Sequence, residues 1–164
     1  MIIALGSNLG DRREHLRQAI AALKSQVHVT RTSPVYETPP WGYLEQPAFY
    51  NQVVCGITRL DPEGLLRFLK SIETGMGREK TITNGPRVID LDILFYGEQV
   101  VEEAGLTIPH PRMRGRAFVL VPLADVAPDL RHPVNGMTVK ELLEEADTSG
   151  IHAVEEGIDG GPQT

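Results

Sequence analysis

Cysteine is nearly absent: Cys55 stands alone in 164 residues. A single thiol excludes an internal disulfide framework and any zinc site built from cysteines. It lies in the apolar run 53–57, where a buried, inert thiol is expected, and the count suits a reducing cytoplasm. Positive charge is also in short supply. Sixteen lysines and arginines face twenty-two acidic residues, a net charge of -6. That balance argues against general nucleic-acid binding, which needs a positive field. Long hydrophobic runs are missing too. None approaches the roughly 20 apolar residues that cross a bilayer, so no membrane role is expected. The apolar start, Met1-Ile2-Ile3-Ala4-Leu5, is too short for a signal peptide. Three glycine signatures are lacking: G-x-x-x-x-G-K-[ST], G-x-G-x-x-G and G-x-S-x-G. A nucleotide bound here would be held by a metal and arginines rather than by a glycine cradle.

What is present is ordinary for a globular domain, with 41% hydrophobic and 23% charged residues. The pattern divides into one domain over 1–147 and a loosely ordered tail over 148–164, where apolar density falls. Residues 2–6 read as a buried strand. Asp11 with Glu14 opens a helix, and Leu16, Ala19, Ile20, Leu23 and Val27 follow at helical spacing. The stretch 27–37, rich in Val, Thr and Tyr, reads as a strand with Pro34 at an edge or bulge. A stiff loop, Thr38-Pro39-Pro40-Trp41-Gly42, precedes a strand over 51–59. Asp61-Pro62 starts a second helix, with Leu65, Leu69, Ile72 and Met76 as its buried stripe. A polar loop over 79–85 leads to the clearest strand, 88–96. A helical stretch over 114–125 is cut by Pro122, and Thr138 with Glu141 forms another capping box. Strand, helix, strand, strand, helix, strand is the order of a ferredoxin-like α+β fold, an antiparallel sheet with helices packed on its faces. Nothing in the pattern demands a partner chain, so a monomer is expected.

Asp90-Leu91-Asp92 is the first candidate for chemistry. Alternate strand side chains share a face. Asp90 and Asp92 therefore point together, with Leu94 and Tyr96 continuing their face and Leu91, Ile93 and Phe95 opposite. Two carboxylates beside apolar neighbours repel and lose hydration. A cation between them removes both problems, and all-oxygen donors favour Mg²⁺ completed by water and substrate phosphate. A bare D-x-D can equally be a solvated strand face. Glu73 lies on the flank of the second helix's stripe, with Lys70 as an ordinary salt-bridge partner. Arg78, Lys80 and Arg87 flank the 79–85 loop, and His110, Arg112, Arg114 and Arg116 cluster after Pro109. In an acidic chain, basic clusters on both sides of the aspartate strand suit a polyphosphate, whose oxygens an arginine fork binds in pairs. Phe49, Asn51 and Phe118 offer two phenyl faces and an amide, which suits a flat heterocycle, although phenylalanines serve more often as core.

Several motifs, in one order, resemble the 6-hydroxymethyl-7,8-dihydropterin pyrophosphokinase family of folate biosynthesis. They are Ala4-Leu5-Gly6-Ser7-Asn8-Leu9-Gly10-Asp11, Glu37-Thr38-Pro39-Pro40-Trp41-Gly42 and Gln46-Pro47-Ala48-Phe49-Tyr50-Asn51. The most specific are Gly85-Pro86-Arg87-Val88-Ile89-Asp90-Leu91-Asp92-Ile93 and Leu106-Thr107-Ile108-Pro109-His110-Pro111. Arg116-Ala117-Phe118-Val119-Leu120 and Pro122-Leu123 complete a set covering about 2–145.

The resemblance implies transfer of a pyrophosphoryl group from ATP to the pterin hydroxymethyl oxygen, releasing AMP. It implies two Mg²⁺ ions held by Asp90 and Asp92. Phe49 and Phe118 would sandwich the pterin, and Asn51 with the Thr38, Pro39, Pro40, Trp41 and Gly42 loop would read its edge. Glu73, Thr107, His110 and Arg116 would surround the ATP, while Arg78 and Arg87 would clamp its phosphates and stabilise developing charge. The 79–85 loop would close as a lid. Two alternatives share parts of this pattern. One is a different Mg-dependent nucleotide-using phosphotransferase with a D-x-D metal site. The other is a non-catalytic RNA-binding module on the same sheet, against which the net charge and the paired aspartates argue.

Overall fold

The computed structural model describes residues 1–40, 44–78 and 85–155. Helices begin at the caps that the sequence marks. Asp11 accepts from the Glu14 amide at 3.1 Å, and Asp61 from the Gly64 amide at 2.7 Å. Thr138 and Glu141 satisfy each other's backbone N–H groups. Each such cap is worth about 1 kcal/mol. The elements are β1 (Ile2–Ser7), α1 (Arg12–Leu23), β2 (Val27–Thr32), β3 (Tyr36–Thr38), β4 (Phe49–Thr58) and α2 (Pro62–Gly75). They continue with β5 (Asp90–Phe95), β6 (Val101–Glu103), β7 (Leu106–Ile108), α3 (Ala117–Val126), α4 (Val139–Glu144) and β8 (His152–Ala153).

The main sheet runs β5-β1-β4-β3-β8, with β2 also paired to β4, and its ladders are antiparallel. This is the expected ferredoxin-like arrangement, with helices on both faces. On one face α1 and α2 bury Leu16, Leu23, Leu65 and Leu69 against Ile3, Leu5, Leu91 and Ile93. On the other, α3 and α4 bury Leu120, Leu123 and Leu142 against Ile2, Val53, Leu94 and Phe95. Each fully buried side chain of this size contributes about 1.5–3 kcal/mol. The central strands are thus held from both sides.

Five details differ from the sequence expectations. First, 27–37 is two strands. Pro34 has no N–H for a ladder, so the pairing with β4 breaks there. Ser33 fills the gap: its N–H donates to Val53 O (2.8 Å) and its Oγ accepts from Val53 N (2.9 Å). Second, Pro122 does not cut the helix; it lies buried inside α3. The lost hydrogen bond is outweighed by packing, since Val119, Leu120, Leu123 and Val126 all join the core. Third, β5 does not alternate to its end. Ile93 pairs with Ile3 but Phe95 with Ile2, so a bulge falls at Leu94. Leu94 and Phe95 consequently join the α3 core together, and Tyr96 packs on the α1–α2 side. Fourth, part of the segment after Asp147 is ordered. β8 pairs with β3, Val154 N donates to Val35 O (2.8 Å), and Arg13 donates to Glu155 O (2.9 Å). Residues 156–164 lie outside the described residues. The β6–β7 hairpin, turned at Gly105 (φ +80°), was not foreseen either. Cys55 is half-buried, and burial pushes its thiol pKa up, as an inert role requires. Among the described residues no helix is long and apolar enough to cross a membrane.

Candidate active site

The register of β1 between β4 and β5 builds the site. Asn51, Gly6 and Asp90 form one row across three strands, and Val53, Ala4 and Asp92 form the next. Neighbouring strands are about 4.8 Å apart, so the Asn51 and Asp90 backbones lie roughly 10 Å apart. The residues between them are small. A Cβ on Gly6 would stand 2.8 Å from Asn51 Oδ1. Over this floor opens a cleft of about 360 Å³ whose walls include Thr38, Pro39, Phe49, Asn51, Arg87, Asp90, Asp92, His110, Arg116 and Phe118. That size suits a small ligand. A second cavity of about 280 Å³ adjoins it, with Asp92, His110 and Pro111 common to both. Lys70, Leu106 and Thr107 line this second space.

On the β3–β4 side, polar groups are matched to one another. Asn51 Nδ2 donates to Thr38 Oγ1 at 2.6 Å, and Thr38 is buried. Asn8, buried at the end of β1, ties three segments together. Its Nδ2 donates to Gln46 Oε1 (2.8 Å) and Pro47 O (2.9 Å), and its Oδ1 accepts from Arg87 N (2.9 Å). Two guanidinium groups lie over the two phenyl rings, Arg87 at 5.1 Å from the Phe49 centroid and Arg116 at 5.5 Å from that of Phe118.

On the β5 side, charge is in excess. Arg78 Nη1 stands 2.8 Å from both Asp90 Oδ1 and Glu73 Oε2. The turn that delivers it needs Gly77, whose φ is +89°. Arg87 Nε is buried without a hydrogen-bond partner, 3.7 Å from Asp90 Oδ2. Burial raises the Asp92 pKa to about 7, and repulsion from Asp90 and Glu73 adds to it; Arg116 and Lys70 offset only part. His110 is held by its backbone, donating from N to the bulged Leu94 O (3.1 Å). Burial, then Arg116, push its pKa down to about 4, so its ring is neutral near pH 7. Its Nδ1 accepts from Arg112 N (3.2 Å), which leaves the proton on Nε2.

Asp90 and Asp92 fit an oxygen-loving divalent cation. They offer carboxylate oxygens only, and Asp92 carries a buried charge that its neighbours disfavour. Among the described residues no group of three or more His, Cys, Asp or Glu could hold an ion by itself. A pair of carboxylates matches what Mg²⁺ takes from a protein, its shell being completed with water and phosphate oxygens.

The model of the 7,8-dihydro-6-hydroxymethylpterin-pyrophosphokinase family matches residues 2–128. The chain belongs to this family. It is 45% identical over 155 residues to 2-amino-4-hydroxy-6-hydroxymethyldihydropteridine pyrophosphokinase of Methylorubrum extorquens, covering 93% of this chain and 97% of that protein. To the folic acid synthesis protein fol1 of Pneumocystis carinii it is 47% identical over 143 residues, 87% of this chain. The chain spans only 19–23% of the length of that protein and its counterparts in Dictyostelium discoideum and Schizosaccharomyces pombe. The fold is shared with the Plasmodium falciparum HPPK-DHPS crystal structure, at a TM-score of 0.69 and 18% identity over 88% of this chain and 44% of that one.

Of the residues that the family resemblance marked, the structure brings Thr38, Pro39, Phe49, Asn51, Arg87, Asp90, Asp92, His110, Arg116 and Phe118 to one cleft. Thr107 lines the adjoining cavity. Pro40 is half-buried beside the cleft residue Pro39 but does not line the cleft. Trp41, Gly42 and the 79–84 part of the lid lie outside the described residues. Glu73 and Arg78 line neither cavity. Glu73, 4% exposed, accepts from Leu91 N (2.8 Å), the amide between the two aspartates. It is therefore a buried brace for β5 and for Arg78 rather than a surface carboxylate. Sequence reasoning gave no site role to Gly6, Asn8 or Lys70, although the expected pairing of Lys70 with Glu73 is present at 3.6 Å. Their roles depend on which strand or loop comes to lie beside them.

Proposed function

We propose that the chain transfers pyrophosphate from ATP to the hydroxymethyl oxygen of 6-hydroxymethyl-7,8-dihydropterin, giving AMP and the pterin diphosphate. The observation that carries this reading is the meeting of two cavities at Asp92 and His110, with Asn51 and Asp90 in one row beneath the larger. A flat pterin fits between the phenyl rings of Phe49 and Phe118, its edge read by Asn51. Thr38 holds that amide in one orientation, and Pro39 stands beside it at the cleft wall. ATP takes the adjoining cavity, with Thr107 and the neutral His110 as neighbours and Lys70 at its rim.

Asp90 and Asp92 would hold Mg²⁺, two ions in this reading, which would neutralise phosphate charge and polarise the β-phosphorus. The hydroxymethyl oxygen bonds to that phosphorus. The bond from it to the α–β bridging oxygen breaks, AMP departs, and the hydroxyl proton passes to solvent. No side chain is assigned as its base. The chain's own contribution is alignment and charge. Arg87 presents toward the phosphates a buried Nε that has no hydrogen-bond partner and only a loose ion pair, 3.7 Å, to Asp90 Oδ2. Arg116 lies over the Phe118 ring, and its charge favours the ionised form of Asp92. Arg78, shared between Glu73 and Asp90, steadies the carboxylate that receives the metal. A monomer acting on small molecules belongs to this reading, and the net charge of -6 supports small-molecule substrates rather than nucleic acid.

Phosphorus NMR with Mg-ATP and the pterin tests the reading. AMP appearing in step with a pterin diphosphate is expected. ADP as the product, or no turnover by folded protein, overturns it.

A further inference from the structure

Arg12 opens α1, where a positive side chain is disfavoured by the helix dipole. Its surroundings account for it. Nη1 donates to Ala48 O at 2.9 Å and pairs with Glu37 Oε2 at 3.0 Å, and the guanidinium lies 3.8 Å from the Tyr50 ring centroid. These partners are not scattered. Glu37 and Tyr50 face each other across the β3–β4 ladder, between the pairs Tyr36–Asn51 and Thr38–Phe49. Side chains alternate along a strand. Glu37 and Tyr50 therefore occupy the back of a ribbon whose front carries Thr38, Phe49 and Asn51. Ala48 is the last residue before that ribbon resumes. One side chain grips both strands and the chain entering them, at the open end where the loop after Thr38 leaves the sheet.

We propose that Arg12 is a positioning residue for the heterocycle pocket. It clasps the back of the β3–β4 ribbon so that Thr38, Phe49 and Asn51 keep their spacing on the front, and it touches neither substrate. The proposal rests on the reading of the cleft as a pterin site. Arginine suits the task because its planar group stacks on a ring while its N–H edge serves a carboxylate and a carbonyl. Lysine can keep the ion pair but not the stack and both bonds together.

The test is steady-state kinetics of the full chain, varying the pterin and ATP separately, with pterin affinity read by fluorescence. Arg12→Ala should raise the pterin KM about tenfold and leave the ATP KM and kcat within about twofold. Arg12→Lys should recover part of the loss. A merely structural role would lower the melting temperature and the active fraction, reducing kcat without shifting one KM alone. If Arg12→Ala folds poorly, Tyr50→Leu removes the stack while leaving the ion pair, and a smaller rise of the pterin KM is expected. Unchanged pterin KM in Arg12→Ala, or equal rises for both substrates, overturns the proposal. Failure of the unmodified chain to bind the pterin overturns the cleft reading instead.

Discussion

The two halves of the cleft are built on opposite terms. On the β3–β4 side, buried polar groups answer one another: Asn51 to Thr38, and Asn8 to Gln46, Pro47 and Arg87. On the β5 side they do so only in part: Glu73, Arg78 and Asp90 are matched, but their neighbours are not. Asp92 is pushed up to about 7, His110 down to about 4, and Arg87 Nε is buried without a hydrogen bond. One half is arranged by folding alone, whereas the other keeps electrostatic cost that only bound charge relieves. Functional sites concentrate such cost. Recognition can thus rest on geometry already in place. Catalysis draws on interactions that become favourable when phosphate and metal arrive.

Substitutions on the two sides should separate these roles. The largest effect is expected for Asp92→Asn, with turnover falling about 10³-fold or more while pterin binding is nearly unchanged. The same change should raise the melting temperature of the metal-free protein at pH 8. The sign follows from the raised pKa. The stability linked to protonated Asp92 is full below its ordinary value of 3.8 and is lost as pH rises through about 7. Asp90→Asn should instead lower the melting temperature, because it removes the charge that pairs with Arg78 and Arg87. If both variants shift stability in the same direction, the contrast between the two aspartates is wrong. Arg87→Ala comes next, with a rate loss on the order of 10²-fold and a smaller change in pterin affinity. A pterin effect larger than the rate effect would move Arg87 to the recognition half.

Gly6→Ala probes the opposite side. Its new Cβ meets Asn51 Oδ1 at 2.8 Å, so pterin affinity should fall about tenfold with ATP affinity preserved, as calorimetry can show. The smallest effect is one of pH. Because Asp92 must lose a proton to take a cation, Mg²⁺ affinity should weaken with falling pH once below about 7. His110, already neutral, should add no step near its ordinary pKa of 6.5.

How much of this was legible in the sequence depends on the range of the interaction. The facing aspartates follow from period 2, and the caps at Asp11, Asp61 and Thr138 follow from local chemistry. The sheet's strand order follows from the alternation of elements. The bulge at Leu94 does not, since it is set by register against β1. Nor does the burial of Glu73, whose partner amide on Leu91 is eighteen residues away. Asn8 and Arg12 show the same limit. Each reads as a turn or surface residue until the fold brings residues 46–48 beside it. Phe49 and Phe118 suit a flat heterocycle, but only the family resemblance gave them weight, because phenylalanines forming a core look the same in sequence.

The short strand β8 has a further consequence. Its pairing with Tyr36 and Glu37 turns β3 from an outer strand into an inner one. Unpaired strand edges are templates for intermolecular pairing. Loss of the residues after Gly150 would uncover N–H and C=O groups beside Thr38, and the same ribbon that frames the cleft would become adhesive. Concentration-dependent self-association, visible as light scattering, would then appear before any loss of helix content.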